Sequence, residues 1–243
     1  MNLYFVLSLF LFSSLPFPAR GTHRIGLYQS KTTTNSGIIY RRVRIRHTGI
    51  LFPRLVNFHD KAVMRQVNRQ IDQLTEEFGC EERVRHSYYR VKSTVEYADK
   101  EIFSIYASAA YSCGGPYPTN DSNISVTFDL TTGKQVNFEE LFTDYETNKR
   151  AILKIIFAQQ VERAEKVNRS GRRPDGTCEG NGDLYSLDNL EGGAYSFAIT
   201  KTGLNVQPQW PHVIEACAER VTVPYEMLKE YAARGGLLER VTE

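Results

Sequence analysis

Recognised catalytic motifs are missing from this sequence. Its five histidines, His23, His47, His59, His86 and His212, include no pair at the His-Glu-x-x-His spacing of a zinc hydrolase. No serine sits in a Gly-x-Ser-x-Gly elbow, and no glycine-rich run ends in the Gly-Lys-Ser/Thr of a phosphate loop. Glu76–Glu77 and Glu139–Glu140 are carboxylate pairs by sequence only, because neighbours on a helix do not face each other. Cysteine is sparse. Cys80, Cys113, Cys178 and Cys217 stand far apart with no Cys-x-x-Cys, which argues against a zinc site or a thioredoxin-like redox centre. A calcium loop is suggested by Asp175, Thr177, Glu179, Gly180 and Asp183, yet its twelfth position, where a bidentate glutamate belongs, is Ser186. No metal or cofactor is expected.

Long apolar runs are also lacking, with one exception. Residues 3–15, LYFVLSLFLFSSL, are too few to span a bilayer comfortably, and Ala19 and Gly21 follow as a small-x-small cleavage pattern. Residues 1–21 therefore read as a secretory signal peptide, with a retained N-terminal anchor as the alternative, since no Lys or Arg precedes the apolar run. Cleavage would leave 222 residues, enough for one large domain or two small ones. Net charge is small as well. The full chain carries +2, and removing a leader whose only charged residue is Arg20 leaves +1. That balance argues against a dedicated nucleic-acid binder. Export, to the periplasm or the extracellular space, fits four cysteines paired as two disulfides.

What is present is a regular alternation of strand and helix patterns. Residues 22–39 are polar and read as a flexible arm. IIYRRVRIRH then alternates, placing Val43 and Ile45 on one face and Arg42, Arg44 and Arg46 on the other. Val63, Val67, Ile71, Leu74 and Phe78 form one apolar stripe of a helix over 60–78, with Asp60 as N-cap and Gly79 as stop. Two long strand patterns meet at Asp99–Lys100 and predict an antiparallel hairpin. SNISVTFDL follows, with Ile124, Val126 and Phe128 inward; Thr132–Gly133 turns the chain, and Val136 and Phe138 continue the pattern. A second long helix is expected over 145–166, then a glycine-rich loop, a hairpin turning near Thr202–Gly203, and a strand running through Pro224 into a short helix. The class is α+β, antiparallel sheets packed against two long helices, with subdomains over 40–130 and 131–243.

Three stretches carry a resemblance. ILFPRLVNFHDKAVMRQVNRQI, YASAAYSCGGPYPTNDSNISVTFDLTTGKQVNFEELF, and FAITKTGLNVQPQW with VTVPYEMLKEY resemble the PdaC/RsiV-like family of exported bacterial domains, over residues 40–233. These domains form the extracytoplasmic part of RsiV-type anti-sigma factors and precede PdaC-type peptidoglycan deacetylases. The resemblance implies an envelope protein; in RsiV-type members the domain is a lysozyme receptor. No polysaccharide deacetylase domain or cytoplasmic sigma-binding segment is recognisable in this chain.

The candidate contact residues are Gly114, Gly115 and Tyr117 in the GGPYPTND loop, where prolines would stiffen an aromatic tip, and the arginine row Arg42, Arg44 and Arg46. A structural turn with Tyr117 folded onto the sheet, and a solvated strand face, are the plain alternatives. A hairpin centred on Asp99–Lys100 sets His86 opposite Cys113 and favours Cys80–Cys113, leaving Cys178–Cys217. The expected function is a non-enzymatic, exported envelope-binding module whose partner is a lysozyme-like protein or a peptidoglycan glycan. A near-neutral chain gains little electrostatic steering toward a basic lysozyme. The other readings are an envelope-polymer hydrolase and a purely structural protein.

Overall fold

The computed structural model describes residues 33–35, 38–45, 49–76, 78, 88–112, 119–170, 178 and 183–242. A four-stranded antiparallel sheet lies at its centre: β4 (Tyr88–Ala98), β5 (Ile102–Ser112), β6 (Thr119–Asp129) and the two-residue β7 (Lys134–Gln135). Phe103, Ile105, Ala107, Val126 and Phe128 alternate onto one face. That face meets a second sheet and a helix. The sheet is β1 (Thr33–Asn35), β2 (Ile38–Arg44) and β3 (Leu51–Asn57); the helix, α1 (Lys61–Glu76), contributes Val63, Val67 and Ile71. Asp60 caps α1 as expected, accepting from the amides of Ala62 at 2.7 Å and Val63 at 3.0 Å.

The opposite face of β5 and β6 is covered by the C-terminal half. Strands β8 (Tyr195–Ile199), β9 (Leu204–Pro208) and β10 (Val221–Val223) form the third antiparallel sheet, in the order β10-β9-β8. Behind it pack α2 (Tyr145–Ile156), α3 (Ala158–Ser170), the short α4 (Leu187–Glu191) and the closing α5 (Leu237–Thr242). Aromatic rings fill much of this core, with Phe138 centred 5.0 Å from Tyr195 and 5.2 Å from Phe142. The class is α+β, and the sheets are antiparallel throughout.

Several expectations need correction. The polar arm does not extend to residue 39: Thr33–Asn35 pairs with Ile38–Tyr40, and Ile38 is fully buried. A β-branched run beside an isoleucine with core to enter favours pairing over a free arm. The first hairpin turns through Asp99, Lys100 and Glu101, between the strand ends Ala98 and Ile102. Asp99 stabilises the longer turn by accepting from the amides of Glu101 and Ile102, each at 2.7 Å. With a register shift between Val95 and Tyr97, Tyr88 pairs with Ser112, one residue away from the register expected. The shift also sends Val95 and Tyr97 to different cores.

The second long helix is two, α2 and α3, interrupted at Phe157 (φ −105°, ψ 28°). The buried stripe of Ile152, Leu153, Ile156, Val161 and Ala164 continues across the interruption, so periodicity alone could not reveal it. The Phe157 ring is wholly buried, 5.7 Å from Tyr195 and 5.9 Å from Tyr185, a placement set by rings distant in sequence. Val136 and Phe138 do not continue a strand; Phe138 leads into a 3-10 turn at Glu139–Leu141. After Pro224 the chain likewise makes 3-10 turns, at Tyr225–Met227 and Lys229–Tyr231, and not an α-helix. No helix of the described residues is long and apolar enough to cross a membrane.

Candidate functional site

Of the arginine row, Arg42 and Arg44 are exposed, and the neighbouring Ile45 is buried. Both guanidinium groups are already engaged. Arg42 donates to the Ser93 carbonyl on β4, and Arg44 donates to the Gly49 carbonyl at 2.7 Å. Their geometry braces the β2–β3 turn and ties β2 to the edge of β4, which leaves less of each fork for an anion. Arg46, Gly114, Gly115, Tyr117, Cys80, Cys113 and Gly79 lie outside the described residues, as does most of the calcium-like loop.

Cys178 and Cys217 form a disulfide with Cα atoms 5.2 Å apart and a sequence separation of 39. The Tyr185 hydroxyl donates to the Cys217 carbonyl at 2.9 Å and accepts from the Glu219 amide at 2.6 Å. Burial raises the Tyr185 pKa, so the phenol stays neutral and keeps both bonds. On the far side Glu219 receives Gln160 at 3.0 Å and Arg163 at 2.5 Å, joining this segment to α3. These contacts are structural.

A concave site forms elsewhere, where two hairpin turns meet the C-terminus of the described chain. A cavity of about 540 Å³ is bounded by Tyr97 of β4, Thr200 and Lys201 of the β8–β9 turn, Tyr225, Glu226 and Lys229 of the 3-10 turns, and Val241 and Thr242 of α5. Its size falls in the usual range for small-molecule sites, roughly 300 to 1,000 Å³. Gly203 shapes the turn: a Cβ there would lie 2.2 Å from the Val223 carbonyl oxygen, so only glycine lets β9 approach β10 so closely. Tyr225 locks it, donating to the Thr200 carbonyl at 2.7 Å while the Thr200 amide donates to the phenol at 3.2 Å. Tyr97 donates to Asp99 at 3.0 Å. Burial raises the pKa of Tyr97, with the Asp99 carboxylate adding to it, and burial pushes Tyr225 up well beyond the ordinary phenol range. Both rings are thus uncharged walls. The charged groups of the lining are Lys201, Lys229 and Glu226, all exposed.

The lining comes from four segments more than 100 residues apart at the extremes, from Tyr97 to Thr242, so no local motif could announce it. The nearest signals in the sequence were the Thr202–Gly203 turn and Pro224, each read as structural punctuation.

This architecture has a solved counterpart. A DUF3298-family protein of Bacteroides fragilis superposes with a TM-score of 0.52 over 87% of this chain and 98% of its own, at 11% identity. The chain has the DUF3298 fold. A DUF3298-family protein of Pseudomonas aeruginosa aligns over 68% of this chain and 67% of its own, at 12% identity and a TM-score of 0.37. No family model matches the sequence, and no curated protein matches it significantly. The DUF3298 fold agrees with the resemblance that the sequence carries to PdaC/RsiV-like domains. It identifies the scaffold, on which the site must be argued separately.

Proposed function

We propose that the protein is an exported, non-enzymatic binding module of the cell envelope, and that the Tyr97–Tyr225 cleft is its contact for a peptidoglycan glycan. The observation that carries this reading is the cleft itself: two neutral aromatic walls, flanking ammonium groups and a volume suited to one or two sugar rings. Glu226 is the single carboxylate among its described lining residues, whereas glycoside hydrolysis ordinarily needs an acid and a second carboxylate facing it. The Cys178–Cys217 disulfide supports an oxidising compartment, and the leader-like N-terminus supports export. A lysozyme-like protein is the second ligand class, favoured by the family resemblance alone.

The test is co-sedimentation of the mature protein with purified insoluble peptidoglycan, beside capture on immobilised lysozyme. Retention on peptidoglycan, and none on cellulose, is expected. Retention by lysozyme alone would move the reading to a protein partner. Retention by neither would overturn it, and release of soluble sugar fragments during the incubation would replace it with a hydrolase.

A further inference from the structure

Of the charged groups lining the cleft, two are cationic and one is anionic. Among the described residues none forms an ion pair with Lys201, Lys229 or Glu226. The neighbouring carboxylates, in contrast, are committed. Asp99 takes the Tyr97 hydroxyl on one oxygen and two backbone amides on the other. Glu101 lies 3.4 Å from Lys100 and 3.5 Å from Arg240. The uncommitted charge at the mouth is therefore net positive, beside aromatic walls that suit a sugar ring. Lys149 is held by Glu146 at 2.9 Å and Lys166 by Glu162 at 2.7 Å, whereas the ammonium groups of Lys201 and Lys229 are free to meet a ligand at one cavity.

From this arrangement we infer that the cleft selects an acidic saccharide, one bearing a carboxylate, with Lys201 and Lys229 as the groups that read the charge. The inference rests on the glycan reading above and narrows it. A neutral N-acetylated chain would use only the ring walls and the hydroxyl-bearing Thr200 and Thr242. A sugar carrying a lactyl carboxylate would add charge-assisted hydrogen bonds from flexible ammonium groups, the strongest interaction this lining offers. Glu226 would oppose any second carboxylate, which favours one acidic group per bound unit.

Calorimetric titration of the mature protein with two soluble probes decides the matter. One is the N-acetylglucosaminyl–N-acetylmuramic acid disaccharide, and the other its neutral counterpart, di-N-acetylchitobiose. The acidic disaccharide should bind about tenfold more tightly or better, the usual scale of a hydrogen bond to a charged group, and added salt should erode the difference. The double variant Lys201→Gln/Lys229→Gln should bring the affinity for the acidic probe down to that for the neutral one. Both side chains are exposed, so circular dichroism of the variant should match the parent. Equal affinities in the parent, or a preference that survives in the variant, overturn the inference while sparing the glycan reading. Failure of both probes to bind overturns the two together.

Discussion

Several residues in this protein do the work of a missing strand. The outer edge of β3 meets no strand among the described residues; instead Asn68 of α1 accepts from the Leu55 amide at 3.1 Å and donates to the Leu55 carbonyl at 2.9 Å. Gln70, two residues further along α1, makes a similar pair of bonds, donating to the Gly133 carbonyl at 2.7 Å and accepting from the Gln135 amide at 3.1 Å. Ser104 accepts from the Ile199 amide at 2.9 Å and shares a 2.8 Å bond with Thr127, sealing the edge of β8 against the central sheet. A side-chain amide carries one donor and one acceptor, as a peptide unit does, so it can satisfy an edge residue completely. Removing Asn68 strands both backbone groups of the buried Leu55. Asn68→Ala should therefore lower stability by about 2 to 4 kcal/mol, and Asn68→Asp should not rescue it, because a carboxylate cannot donate to the Leu55 carbonyl. Urea unfolding of the three proteins checks this; a loss below 1 kcal/mol for Asn68→Ala would show, in the range of a surface substitution, that the caps are dispensable.

At the scale of an element, α5 adds one polar latch to its buried Leu237 and Leu238. Arg240 reaches Asp129 at the end of β6 at 2.6 Å and Glu101 in the first hairpin turn at 3.5 Å. The latch brings Val241 and Thr242 to the cleft. Burial opposes ionisation of Asp129, but hydrogen bonds from Thr131 and Arg240 outweigh it and hold the carboxyl below its ordinary 3.8. Because the folded value is the lower one, the contribution is complete above pH 3.8 and is lost as pH falls through the depressed value. Asp60, which caps α1 through two amides, is depressed by those bonds and titrates in the same direction. Acidification below that point should lower the protection factors of the α5 amides, and Arg240→Met should lower them at neutral pH and flatten their pH dependence. Protection in α5 that ignores both changes would mean the helix is held by Leu237 and Leu238 alone.

For the whole molecule, one covalent tie matters most. Cys178–Cys217 closes a loop with a separation of 39, worth about 4 kcal/mol in the chain-entropy account. Through Tyr185 and Glu219 it fixes the segment before β10 against α3. Reduction should lower global stability by that order and expose residues 183–219 to protease before α1 or the central sheet. Cleavage that begins in α1 instead would place the weakest unit of the fold elsewhere.

Read alone, the sequence determined what short-range physics controls. The period of Val63, Val67 and Ile71 required α1, alternation through Ile124, Val126 and Phe128 required β6, and the positive φ of 72° at Gly133 is the conformation that Thr-Thr-Gly-Lys anticipates. The Cys178–Cys217 bond was reached too, by pairing the cysteines the first hairpin left over. Tertiary structure alone decided the rest. A register shift in β4, an interruption at Phe157 and the edge caps of Asn68 and Gln70 depend on partners far along the chain, whose positions no local window contains. The cleft is of that kind. Tyr97, Lys201, Tyr225 and Thr242 are unremarkable in their own neighbourhoods, and they become one surface only because Gly203 lets two strands close and Arg240 draws the last helix onto the central sheet.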